Sequence, residues 1–116
     1  MLTLKQFEKG IDSGLTLNIK NGTEFIADTG YMVSLYGHEE THSVYSLTID
    51  DIRTYIFANF YPLRKSRHFF GMWRNLDKVY LDVSVYVPTF EDAVRLGREN
   101  NQLAIFDLAN KTEIKL

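Results

Sequence analysis

Cysteine is absent from this chain, so disulfides, thiolate metal sites and a cysteine nucleophile are excluded. Although 45% of the 116 residues are hydrophobic, no run approaches the roughly 18 apolar residues that a membrane-spanning helix requires. The segment from Met1 to Glu8 alternates charged with apolar residues and has neither the basic nor the apolar region of a secretory signal. A soluble protein in the cytoplasm of its host cell is therefore expected. Nucleophile elbows of the G-x-S-x-G type and phosphate-binding glycine loops are also missing, and Ser34, Ser46 and Ser84 fall in strand-like segments. These absences predict no enzyme, no catalytic residue and no cofactor.

Two further absences are local. From Asn21 to Asp51 there is no lysine or arginine, while Glu24, Asp28, Glu39, Glu40, Asp50 and Asp51 are acidic. From Ile52 to Leu76 there is no aspartate or glutamate, while Arg53, Arg64, Lys65, Arg67 and Arg74 are basic. The net charge of −2 conceals this segregation. Either the two segments lie against one another and cancel, or each presents a patch of one sign to a partner.

What is present reads as one α+β domain over residues 1–116, with about three helices on a mixed, mostly antiparallel sheet. Thr3 and Gln6 form a capping-box signature ahead of Leu4, Phe7 and Ile11 at helical spacing. Leu15, Leu17 and Ile19 alternate as a strand, Asn21-Gly22 suits a two-residue hairpin turn, and Thr23 to Ala27 returns as the partner strand. Tyr31 to Tyr36 is a third strand, and Thr41 to Leu47 a weaker fourth. Thr48 and Asp51 open a helix whose inner face is Ile49, Ile52, Ile56 and Phe60, and Pro62 ends it. Phe69 to Trp73 and Val79 to Val87 are strands, the latter central because Val79, Leu81, Val83, Val85 and Val87 share one side. After Pro88 and Thr89 comes a helix with Phe90, Ala93, Val94 and Gly97 on its buried face, the glycine permitting close approach to the sheet. Leu103 to Leu108 and Thr112 to Leu116 close the chain as strands.

His38-Glu39-Glu40-Thr41-His42 matches the H-E-x-x-H zinc pattern, but that chemistry needs both histidines on one helical face. Gly37 before it and Ser43-Val44-Tyr45 after it read as loop and extended chain, so a solvated polar loop without bound metal is expected. The run from Tyr61 to Arg74 interleaves Arg64, Lys65, Arg67, His68 and Arg74 with Phe69, Phe70 and Trp73. Three readings fit it: a core strand with a solvated basic loop, a protein-partner patch, or a nucleic-acid surface using phosphate contacts and base stacking. The sequence pI of about 5.9 argues against a dedicated nucleic-acid binder. Glu39, Glu40, Arg64, Lys65, Arg67 and Trp73 are the candidate partner-binding residues.

Trp73, Tyr80-Leu-Asp-Val-Ser84, Ala93, Leu96-Gly97, Asn100-Asn101-Gln102 and Ala104-Ile-Phe-Asp107, with Gly30-Tyr-Met-Val-Ser34 in the first half, give the chain a resemblance to small orphan accessory proteins of Gram-positive phages and mobile elements. The resemblance spans about two thirds of the chain and carries no catalytic motif. It implies an anti-CRISPR-like or anti-restriction inhibitor that binds a host protein complex, such as a Cas nuclease. Near-neutral overall charge does not suit a whole-surface DNA mimic, so only the segment from Glu24 to Asp51 resembles a phosphate array.

Overall fold

Helix starts are set by local side-chain chemistry in this computed structural model, which describes residues 2–116. Thr3 caps α1 (Leu4–Ser13): its hydroxyl accepts the Gln6 N–H, and the Gln6 side chain accepts the Thr3 N–H. The same reciprocal box, from Thr48 and Asp51, opens α2 (Ile49–Ala58). Asn59 interrupts that helix, its side-chain amide donating to the Tyr55 carbonyl, and α3 (Phe60–Leu63) follows as a single turn. Pro62 therefore lies inside α3 rather than at the end of α2. It is tolerated there because the first N–H groups of a helix have no intrahelical partner. α4 (Phe90–Glu99) begins after Thr89, whose hydroxyl donates to the Asp92 carboxylate.

The strands are β1 (Leu15–Asn18), β2 (Thr23–Glu24), β3 (Tyr31–Ser34), β4 (Glu40–Ser43), β5 (His68–Asn75), β6 (Lys78–Val87), β7 (Ala104–Asp107) and β8 (Thr112–Lys115). They form one sheet in the order β2-β1-β5-β6-β3-β7-β8, with β4 also on β6, and each pairing is antiparallel. β6 is central, as the valine alternation predicts. β5 holds one of its edges along eight register pairs, while β4 and β3 share the other in succession.

The β1–β2 connection departs from the expected two-residue turn. Asn18 Oδ1 accepts the Lys20 N–H, the Asn18 carbonyl accepts the Gly22 N–H, and Asn21 Oδ1 accepts the Thr23 N–H. These asparagine side chains stabilise a four-residue loop in which Gly22, at φ 73°, alone takes the left-handed conformation. β2 is correspondingly limited to Thr23–Glu24.

α1, α2 and α4 all lie on the valine face of the sheet. Ile52, Tyr55 and Ile56 of α2 join Leu15, Leu17, Phe70, Met72, Val79, Leu81 and Val83 in one apolar cluster. Ala93 of α4 joins Val33, Val87 and Ile105 in a second. A Cβ on Gly97 would stand 2.7 Å from Leu116 Cδ1 and 3.0 Å from Ile105 Cγ2, which is the close approach its position in the sequence predicts. On the opposite face lies the Phe25 ring, stacked on Phe69 at 4.2 Å and edge-on to Tyr86 at 5.2 Å.

Candidate functional site

The α2–α3 elbow exposes what the helix pattern places inside. Because Ile52, Tyr55 and Ile56 turn inward, Arg53 and Phe57 turn outward. The break at Asn59 then rotates the next residues off the buried face, so Phe60 does not continue the stripe of Ile49, Ile52 and Ile56. Phe57 is 84% exposed, Tyr61 71% and Phe60 47%. Leu63, fully buried, pins the turn to the core. The Arg64 guanidinium lies 4.8 Å from the Tyr61 ring centroid and 5.9 Å from that of Phe60. This arrangement holds an arginine against aromatic faces without neutralising its charge.

Lys65, Ser66 and Arg67 continue from the elbow as an exposed loop. Turn bonds from the Lys65 N–H to the Pro62 carbonyl and from the His68 N–H to the Lys65 carbonyl fix its course. Among the described residues Arg64, Lys65, Arg67 and Arg74 enter no ion pair, and Arg53 with Asp50 at 3.4 Å is the sole ion pair between the basic and acidic segments. Mutual cancellation by salt bridging is therefore confined to that exposed pair within α2.

The remaining sequence candidates lie elsewhere. Trp73 shares the strand face of Phe69 and Gly71, whereas α2 packs through Tyr55 on Phe70 of the other face. The Trp73 ring is stacked on Tyr80 at 4.3 Å with 12° between planes. The run from Tyr61 to Arg74 is thus divided between opposite sides of the sheet and does not form one interleaved surface. Glu40 lies on β4, where it bonds the His42 ring at 2.8 Å. Glu39, just before β4, is exposed, and partial burial followed by the Asp82 carboxylate raises its pKa.

The two histidines of the zinc-like pattern do not converge. His42 belongs to a strand, and His38 Nδ1 meets Asn59 Oδ1 at 2.7 Å while its carbonyl accepts the Tyr55 hydroxyl at 2.6 Å. Among the described residues no group of three histidine, aspartate or glutamate side chains is placed to share a metal ion. Burial raises the Tyr55 pKa, with Asp82, Glu40 and Glu39 adding to it, which keeps the hydroxyl a donor.

A buried carboxylate, Asp82, escaped the sequence reading. It is 5% exposed, accepts the Ser34 and Ser84 hydroxyls at 2.8 Å each, and faces Gly71 across the β5–β6 register. Burial raises its pKa against the opposing pull of Ser84, Ser34 and Trp73. The available signal was an aspartate in a valine strand beside a strand glycine, a pairing that marks close backbone approach. The exposure of Phe57 and Phe60 beside Tyr61 is not legible in the helix pattern, and Asn59 is the local clue.

Among the described residues no helix is long and apolar enough to cross a membrane. No family model, curated protein or solved structure matches the chain.

Proposed function

We propose that this chain is a non-enzymatic binding protein of a phage or mobile element, and that it engages a host defence complex through the α2–α3 elbow. The observation that carries this reading is the coincidence of Phe57, Phe60 and Tyr61, all exposed, with the cations Arg64, Lys65 and Arg67, which enter no ion pair among the described residues. Tyrosine, tryptophan and arginine dominate the energetics of protein interfaces, and an arginine already laid on aromatic rings loses less freedom on binding. Unpaired cations favour an acidic partner surface. A CRISPR effector nuclease is the partner class that the resemblance of the sequence to mobile-element accessory proteins favours.

A protein partner is favoured over nucleic acid because the net charge is −2 and Trp73 lies away from the elbow. The test is a binding panel of purified CRISPR effectors and restriction nucleases. Charge reversal at Arg64, Lys65 and Arg67 should abolish capture, whereas reversal at Glu39 and Glu40 should leave it intact. Capture of no defence protein, or indifference to the arginine and lysine reversals, refutes the proposal. Salt-sensitive retention of a labelled oligonucleotide, lost on the same reversals, would put nucleic acid in its place.

A further inference from the structure

A cleft of about 280 Å³ opens beside the basic loop. Ser66 and Arg67 form one wall, Val85, Val87 and Leu96 lie within it, and α4 supplies the other wall through Asp92, Arg95 and Glu99. Its volume falls just under the roughly 300 Å³ at which small-molecule sites begin. It suits one large side chain better than a whole ligand.

We propose that this cleft is the anchor pocket of the elbow interface and receives one large apolar side chain from an acidic segment of the protein partner. The inference rests on the function proposed above. Two observations select the occupant. The cleft takes part of its wall from the basic loop, since Ser66 and Arg67 directly follow Arg64 and Lys65 in the same exposed stretch of chain. Its charges are also unequal between walls. On α4, Arg95 is held by Asp92 at 3.0 Å, leaving Glu99 as the uncompensated charge, whereas the loop wall offers Arg67 free of any ion pair among the described residues. An entering segment therefore places its carboxylates toward Arg67, Lys65 and Arg64 and its apolar side chain over Val85, Val87 and Leu96.

Backbone geometry holds that wall in place. Arg67 has φ 62°, a left-handed conformation uncommon for a residue with a side chain, and its carbonyl accepts the Tyr86 N–H at 2.9 Å. Strain of this kind persists only where surrounding bonds over-determine it, and it gathers at binding sites. Here the β6 bond fixes the turn that sets Arg67 at the cleft rim.

The test titrates the full chain by NMR with two capped pentapeptides, each of four glutamates around a central phenylalanine or a central alanine. The phenylalanine peptide should bind at least about tenfold more tightly, as burial of one aromatic side chain implies, and should shift the Val85 and Leu96 methyl signals. Ser66→Trp, on the exposed rim, should erase that preference while leaving the alanine peptide unaffected. Glu99→Gln should strengthen both. Arg64→Glu with Lys65→Glu should weaken both. Equal binding of the two peptides, or a preference that survives Ser66→Trp, overturns the anchor pocket. The elbow reading survives that result if the Arg64 and Lys65 reversals still weaken binding. A Ser66→Trp-sensitive preference that ignores those reversals instead supports the pocket and removes the elbow from the interface.

Discussion

Replacing Gly71 by alanine tests whether the buried carboxylate of Asp82 governs the packing of the central strands. A Cβ at Gly71 would fall well inside contact distance of Asp82 Oδ1, the oxygen that accepts the Ser84 hydroxyl, and 3.4 Å from Ser84 Oγ itself. The carboxylate must move, and β5 and β6 are paired too tightly to separate around it. Overpacking of this kind costs about 1–3 kcal/mol, and loss of one hydrogen bond to a buried charged group adds about 1.5–3 kcal/mol. Against this, alanine in place of a strand glycine recovers about 0.5–1 kcal/mol. A net destabilisation of about 1.5–5.5 kcal/mol is expected from urea unfolding followed by circular dichroism. The decisive measurement is a double-mutant cycle with Asp82→Ala. In that background Gly71→Ala should be neutral or stabilising, because the clashing oxygen is gone. Effects that add to within about 0.5 kcal/mol would show that Asp82 and Gly71 are not coupled, and the reasoning fails.

Asp82 also predicts a pH dependence of definite sign. Burial raises its folded pKa above the unfolded value, so the stability it contributes is complete below the unfolded pKa and declines as pH rises through the folded one. Asp82→Asn should therefore gain on the wild type as pH increases in parallel urea titrations, and a constant difference across the range contradicts the assignment. At Gly97, substitution by alanine should be near neutral, the helix gain of about 1 kcal/mol being offset by contact with Leu116 and Ile105. In a Leu116→Ala background the same change should stabilise, and thermal denaturation of the two variants and their double decides it. Calorimetric titration with zinc should give no heat at micromolar metal, since His38 is engaged by Asn59 and His42 by Glu40; stoichiometric uptake abolished by His42→Ala would reverse that reading.

Local chemistry accounts for the parts of this fold that are legible in the sequence. The capping boxes at Thr3 and Thr48 and the alternation from Val79 to Val87 are each complete within a few residues, and each forms as expected. The departures arise where a side chain competes with the backbone pattern. Asn18 and Asn21 turn an apparent two-residue hairpin into a four-residue loop, and Asn59 rotates Phe60 out of the core stripe. The site divides in the same way. Arg64, Lys65 and Arg67 are neighbours in the chain and remain neighbours in space, so their grouping is legible. Trp73 is separated from them by strand parity relative to α2, which depends on tertiary packing. Asp82 is hidden by Gly71, Ser34 and Ser84, two of which come from other strands.

The unequal reach of the pairings around β6 has a kinetic consequence. Its union with β5 closes across Leu76 and Asp77, whereas Thr41↔Tyr80, Met32↔Tyr86 and Leu15↔Met72 join distant stretches of chain. Short closures form in about 1–10 μs, while long ones must first overcome their closure entropy. The β5–β6 hairpin is thus the expected nucleus. Substitutions at its Leu76–Asp77 turn should slow refolding, and substitutions in β4, whose pairing with β6 joins distant stretches, should chiefly accelerate unfolding. The basic loop joins the first strand of that nucleus at the end farthest from its turn, so the Tyr86 bond that fixes Arg67 is the last of the hairpin to close.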